Sequence, residues 1–502
     1  MLPGGVGGVT ATTASELGLP DPRRWKALAV LGLIQFMLIL DVTVVNVALP
    51  HIKTDLDFSE TGLAWVVDGY IVAAGALLLL GGRLADMYGR LKVFLAGVAL
   101  FAAASLSCGL AQNDTILVIS RFAQGIGEAL AAPAALGLIA LMFMDPKERI
   151  KALGVWGGLA GLGGTSGTVI SGLIVNSVSW RWIFLINLPV ALFALLAVPR
   201  LTSESRMVRT HTGVDVWGAV TITGGLVAVV NGFLAAARGH NTWGSPAVWM
   251  SLVAGGALLV AFVYWESQAT DPLIPLRFFG NRTRVVTNGV TLFFASAFFT
   301  YFFLLTLFMQ QILGYSALRG GVVYVPFGIA IGAGIGLGTG LMPKVGVKAL
   351  MTTGFLIAAV GLFVTSGIEV GSAYWSDIFP GMVILGFGSG LCFPAFGNAS
   401  LHEVTHQDAG LASGVQNAMQ QIAGAVGLAV LVSLAYRHAA GLISAGTDPR
   451  TATVKGYVLS YRVGAVLLAV GAVAVALFLE HVDPVPRQAD AEVDVVPESA
   501  PA

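Results

Sequence analysis

Charge is what this sequence most conspicuously lacks. Only 11% of its 502 residues are Asp, Glu, Lys or Arg, against about 25% in ordinary soluble chains. A chain that is 56% hydrophobic has too little polar surface to enclose itself in water, which excludes a soluble globule. The 27 basic and 27 acidic residues cancel, so no global basic field points to nucleic acid. Cysteine is scarce: Cys108 and Cys392 lie far apart in apolar runs, which excludes a disulfide framework and gives no metal-ligand spacing. No Gly-x-x-x-x-Gly-Lys-Ser/Thr loop is present, so ATP is not the evident energy source, and no cofactor is expected. Residues 1–25 have no apolar core, so they are not expected to be a cleaved signal peptide.

What the chain has in abundance is apolar runs of about twenty residues, the length that crosses a hydrocarbon core of about 30 Å. They fall at 26–48, 63–82, 92–111, 115–137, 152–176, 183–199, 215–236, 246–266, 286–310, 320–342, 348–367, 377–398, 411–435 and 461–480. Fourteen spans put both termini on one side. With that side inside, inside segments carry 18 of the 27 Lys and Arg and outside loops carry 7. This excess places the termini in the cytoplasm. The fold class is an all-α integral membrane protein of the plasma membrane, in contact with lipid.

Two polar breaks divide the spans. Leu201 to Gly213 is basic, and Gln268 to Arg284 contains Asp271-Pro272 and three Arg. The expected organisation is a cytoplasmic segment 1–25, a six-helix bundle 26–199, a linker region 200–284 with two extra helices, a second six-helix bundle 285–480 and a tail 481–502. Two six-helix halves with a site between them at mid-bilayer are a known transporter solution.

Within the spans, acids are few: Asp41, Asp68 and Glu128, all in the first half. A carboxylate at lipid depth costs on the order of 3 kcal/mol and marks a cavity or a partner. At about 1.5 Å per residue, Asp41 lies about 10 Å from the outer end of its span, Asp68 about 8 Å and Arg121 about 9 Å, so these three can meet at one level. Arg121, Gln124 and Glu128 follow the i, i+3, i+7 spacing of one helix face.

The loop after the second span reads Gly82-Arg83-Leu84-Ala85-Asp86-Met87-Tyr88-Gly89-Arg90-Leu91-Lys92. Gly82 and Gly89 suit a tight turn, while Asp86 and Arg90 suit a charge clasp. This loop resembles the cytoplasmic loop of the major facilitator superfamily. Leu40-Asp41-Val42-Thr43-Val44-Val45-Asn46-Val47-Ala48-Leu49-Pro50, together with fourteen spans, resembles that family's drug:proton antiporter branch. So do Trp65 to Tyr70 (WVVDGY), Arg121 to Gly127 (RFAQGIG), Ser179 to Pro189 (SWRWIFLINLP) and Asp408 to Asn417 (DAGLASGVQN). A fainter echo of the clasp loop, Pro343 to Lys348 (PKVGVK), has Pro343 where Asp86 would align. The fifth span, with Gly163, Gly167, Thr168 and Gly172, resembles the antiporter motif of these exporters. It departs where the family has Pro at Thr168 and Gly at Ser171.

The resemblance implies the major facilitator fold and a secondary active exporter of lipophilic small molecules, an antibiotic, drug or secreted metabolite, working by alternating access. Asp41, Arg121, Asp68 and Glu128 are the proton-coupling candidates. Asp68, Glu128, Gln124, Trp65 and Asn417 are the substrate-binding candidates, for a ligand that is expected to be cationic. Gly82, Asp86, Gly89 and Arg90 are assigned to a conformational-switch loop. The energy source is the proton gradient, no metal is expected, and a monomer suffices because both halves share one chain. A proton-independent facilitator or importer on the same fold is the alternative. A membrane enzyme is disfavoured, because the in-span acids have no His or Cys partner at an evident spacing.

Overall fold

The computed structural model describes residues 23–480 except 60, 144, 203, 205–212, 214, 237–242 and 405–408. The N-terminal segment, the C-terminal tail, Asp408 of the DAGLASGVQN stretch and most of the first linker therefore lie outside the described residues. Among those described, twelve helical segments are long and apolar enough to cross a membrane. One of them, Ala317–Thr365, spans 49 residues and breaks at Gly346, where φ is 80° and ψ 161°, so it crosses twice. Pro146–Ser177 is a further helix of 32 residues. Fourteen crossings follow.

In chain order these are α1 (Arg24–Asp55), α2 (Ala64–Tyr88), α3 (Arg90–Gly109), α4 (Asp114–Met142), α5 (Pro146–Ser177), α6 (Trp182–Leu201), α7 (Val216–Ala236) and α8 (Pro246–Gln268). Then come α9 (Arg282–Ile312), α10 (317–345), α11 (347–365), α12 (Tyr374–Ser400), α13 (Ala409–Ser444) and α14 (Pro449–Phe478). The near end of the bundle is where α1 starts and α14 finishes, and the far end is opposite.

The helices overrun the expected spans at several ends, and three of these differ most. The first helix does not stop before Pro50 but runs to Asp55. Proline removes one backbone donor there, a defect that neighbouring helices tolerate. The last two spans, expected at 411–435 and 461–480, are the much longer α13 and α14. Basic residues end the apolar window but not the helix. Arg437 donates to the Ala236 carbonyl and Arg450 to the Ile312 carbonyl, so these cations satisfy the last carbonyls of α7 and α9 at the far end. Asp448 caps α14 by accepting from the Thr451 amide.

α1 packs on α5 and α6, and α4 packs on α2 and α3. Later in the chain, α12 packs on α10 and α11, while α9, α13 and α14 pack on one another. Two long contacts join the sets, α2 with α13 and α5 with α10. α7 touches α2 and α13 and carries α8 on its outer side. Small residues make the crossings close, as water offers no driving force between helices in lipid. A Cβ on Gly97 of α3 would stand 2.8 Å from the Gly127 carbonyl of α4, and one on Gly354 of α11 would stand 2.9 Å from the Gly388 carbonyl of α12.

Candidate functional site: a buried ion pair between α1 and α4

Asp41 lies within α1 and Arg121 about two turns into α4, and α4 crosses beside α2 and α3. The Arg121 guanidinium donates to Asp41 Oδ2 at 2.5 Å, to Gln124 Oε1 at 2.8 Å and, through Nε, to the Val66 carbonyl at 2.8 Å. Its carbon lies 4.3 Å from the centroid of the Tyr70 ring. Asp41 Oδ1 accepts from Asn187 at 2.7 Å and from Gln124 at 3.2 Å. Gln124 also donates to Ser105 Oγ, and Cys108 donates to Gln124 Oε1. The side chains of Arg121 and Asp41 are 1% and 0% exposed. An ion pair so dry persists only when its remaining donors and lone pairs are satisfied. Here every such atom of Asp41 has a partner, supplied by α4 and α6.

The spacing arithmetic brings Asp41 and Arg121 to one level, and they meet. Asp68, expected at the same level, does not join them. It is fully buried, and both carboxylate oxygens are without a hydrogen-bond partner. Seven residues separate it from Gly75, so both lie on one face of α2. Gly75 packs against Ala418, Gln421 and Ile422 of α13, so Asp68 lies on the face of α2 that meets the second helix set two turns further on. Glu128 is buried with Oε2 unpartnered. Gln124, taken from the sequence as a ligand contact, is bound into the ion-pair network. Trp65 lies at the far end, its ring 5.8 Å from Phe122, and lines a cavity of about 500 Å³ with Phe58, Asp114, Phe122 and Val227. Asn417 is exposed on α13. Asn187 and Ser105 carry no periodic signal, and the sequence alone does not single them out among the other polar residues of the spans.

The clasp loop closes as a single-residue turn. Gly89 joins α2 to α3 with φ 109°, a conformation open to glycine. Asp86 Oδ1 accepts from Arg90 Nε and Nη2 at 3.2 and 3.0 Å, and Arg90 Nη1 donates to the Gly137 carbonyl of α4 at 3.0 Å. Gly82 faces Pro133 of α4. Three helices are tied at this corner. In α5, Gly163 and Gly167 lie against Phe36, Ile39, Leu40 and Thr43 of α1, while Gly172 lies against Ala317 and Leu318 of α10. Buried Thr168 brings its carbonyl against Gly321 of α10. Ser171 Oγ donates to the Val44 carbonyl at 2.6 Å. The departure from the antiporter motif at Ser171 therefore adds a hydrogen bond between α1 and α5.

Comparison with known proteins now decides the family. The pattern of the Major Facilitator Superfamily matches residues 31–428. This chain belongs to the major facilitator superfamily. It is a multi-pass membrane transporter. It is similar to the puromycin resistance protein of Streptomyces alboniger, 38% identical over 92% of each chain. The lincomycin resistance protein of Streptomyces lincolnensis is 38% identical, covering 85% of this chain and 87% of that one. The cephamycin export protein of Amycolatopsis lactamdurans is 36% identical over 80% and 82%. Its relatives are thus antibiotic resistance and export proteins of this superfamily, the branch that the motifs resemble. Among solved structures, a D-xylose-proton symporter superposes with TM-score 0.63 at 16% identity, covering 92% of this chain and 99% of that chain. That likeness shows the fold.

Proposed function

We propose that this protein is a proton-driven exporter of lipophilic small molecules that works by alternating access. Its substrates would be antibiotics or related secreted metabolites, the class named in its relatives. In this reading residues 26–199 and 285–480 rock against each other across the α2–α13 and α5–α10 contacts, and residues 200–284 add the inserted pair α7 and α8. The near end faces the cytoplasm, the membrane is the plasma membrane, and one chain is the working unit.

The observation that carries the reading is the dry Asp41–Arg121 pair. A carboxylate near Arg favours its charged form, and desolvation favours the neutral one. A change that separates α1 from α4, or admits water, shifts that balance and loads or releases a proton. Asp68 supports the same reading, as an unpartnered buried carboxyl on the α2 face that meets the second helix set. Among the described residues, the second set offers no counterpart buried acid. It has an aromatic cluster instead, with Phe294, Phe298, Phe302 and Phe327 at centroid distances of 4.9 to 6.1 Å. Acids in one helix set and rings in the other suit a flat lipophilic cation. The energy comes from the proton gradient, and no cofactor takes part.

The test is transport in proteoliposomes with an imposed pH gradient and a lipophilic fluorescent cation. Wild type is expected to move dye against its gradient with counterflow of protons, and Asp41→Asn to bind dye without coupled transport. Coupled transport that survives in Asp41→Asn would remove Asp41 as the proton carrier. Dye movement independent of the pH gradient in wild type would replace the antiporter with a facilitator.

A further inference from the structure

The two inserted helices meet the rest of the protein at a spot that transport chemistry does not explain. Asp215, just before α7, and Glu266, in the last turn of α8, are 7% and 3% exposed. Asp215 Oδ1 accepts from the Gly218 amide and from the Trp265 indole, both at 2.7 Å. Glu266 Oε2 accepts from the Ile274 amide at 2.9 Å. The other oxygens, Asp215 Oδ2 and Glu266 Oε1, are buried and have no partner. They point at the same place: a Cβ on Gly218 would stand 2.5 Å from the first and 2.7 Å from the second. The two carboxyl groups are within hydrogen-bonding reach of each other.

Two like charges cannot both remain ionised in so dry a place, and one proton held between them removes the conflict and satisfies both orphan oxygens. Among the described residues, the surroundings leave this role to a proton. The facing groups on α7 and α8 are donors already engaged with the outer oxygens. The described near half of α13, residues 411–421, carries no ionisable side chain. α2 brings Arg83, which donates to the carbonyls of Asp271 and Pro272 (the latter at 2.5 Å). Asp271 lies on the adjoining loop, with its carboxylate toward Gly213.

That loop gives the pair a mechanical reach. Glu266 fixes Ile274 at one end of the 271–274 segment, and Arg83 of the clasp loop fixes the other end. The preceding linker is tied to the same corner. Glu204 accepts from the Leu91 and Lys92 amides at 3.1 and 3.2 Å, where the exposed amides at the start of α3 favour an anion. Both linkers of the inserted pair are thus fastened to the α2–α3 turn.

We propose that Asp215 and Glu266 bind one proton between them, and that this proton locks the inserted helix pair onto the α2–α3 turn. Loss of the proton at alkaline pH leaves two buried negative charges, frees the 271–274 segment and loosens the turn. The lock is a protonation site separate from Asp41, Asp68 and Glu128, and it holds whichever way substrate moves.

The experiment measures opening of the segment in the full-length protein in nanodiscs. Cys108 and Cys392 are buried, so introduced thiols report alone. Leu273→Cys replaces a buried residue, and Ser267→Cys an exposed one. The ratio of their maleimide labelling rates cancels the thiol's own pH dependence. In wild-type background the ratio is expected to rise with pH, approaching about tenfold per pH unit for an opening that releases one proton. In Glu266→Gln the amide supplies a permanent donor to Asp215, and the ratio is expected to stay low and flat. Gly218→Ala, which keeps both acids but wedges them apart, should raise the ratio at every pH. A flat wild-type profile, or a Glu266→Gln profile identical to a rising wild-type one, overturns the proposal. So does a wild-type ratio that follows sodium or potassium concentration instead of pH, since the pair would then hold a cation. Should Glu266→Gln fail to fold, the wild-type slope and Gly218→Ala decide between the same outcomes.

Discussion

Replacing Arg121 by Gln removes the donor at the centre of the buried network, and the loss can be sized from its contacts. The guanidinium holds Asp41 Oδ2, Gln124 Oε1 and the Val66 carbonyl. Without it, Asp41 keeps Asn187 and Gln124 but no countercharge, which places Arg121→Gln among broken buried pairs costing about 3–5 kcal/mol. Asp41→Asn is milder. Its amide oxygen still accepts from Arg121, but its NH2 faces one or both of the Asn187 and Gln124 amides, a mismatch of about 1–3 kcal/mol. The double variant leaves no unpaired charge, so its cost should fall short of the sum by roughly 0.5–3 kcal/mol. The assay is a double-mutant cycle on unfolding in mixed micelles titrated with dodecyl sulfate, followed by tryptophan fluorescence. Costs that add within about 0.5 kcal/mol would refute the reasoning, since the two side chains would then not depend on each other in the folded state.

Three further outcomes follow from the same structure. Asp68→Asn should fold at least as stably as wild type, as it removes a buried carboxyl with no partner, while proton-coupled dye export falls at least tenfold; a drop in unfolding midpoint would mean that Asp68 has a structural partner. Gly81→Leu should destabilise by about 1–3 kcal/mol, because even a Cβ there meets the Ala129 carbonyl of α4, and cysteine crosslinking between α2 and α4 should weaken with it. Asp448, whose carboxyl is held below the usual range first by the Thr451 amide and then by its hydroxyl, should protect the first turn of α14 at neutral pH and lose that protection as pH falls through its lowered pKa. Asp448→Ala should show amides 450–453 exchanging without that protection, relative to their intrinsic rates, at every pH, and equal exchange in the two proteins at neutral pH would remove the cap.

The crossings were legible because each demands about twenty apolar residues, and only a few ends were misplaced. Those errors share a cause. Hydropathy reports where lipid stops, whereas helices stop where their carbonyls and amides run out of partners. Arg437 and Arg450 look like loop residues by charge and are helical residues by hydrogen bonding. The ion pair was legible because both of its charges, Asp41 and Arg121, stood in apolar runs; the same signal marked Asp68 and Glu128, which lie buried outside that pair. Asn187 was not legible, since a neutral amide in a span has many uses and its partner is 146 residues away. Asp215 and Glu266 escaped notice for the opposite reason: each sits near a span end, where acids are ordinary, and only the fold shows that they face each other.

The bundle has a second one-glycine turn. Gly89 joins α2 to α3, and Gly346 joins α10 to α11, each with positive φ. Three residues before each glycine stands the residue that stiffens the turn: Asp86, paired with Arg90, in the first, and Pro343 within the helix in the second. One corner is fastened by ions, the other by a ring. An ion pair is lost when either charge is removed, and a pyrrolidine ring carries no charge to lose. The two corners are therefore a matched pair with unmatched chemistry. Removing either charge of the Asp86–Arg90 pair would loosen the turn of the first half, whereas the turn of the second half keeps its stiffness through any change of charge.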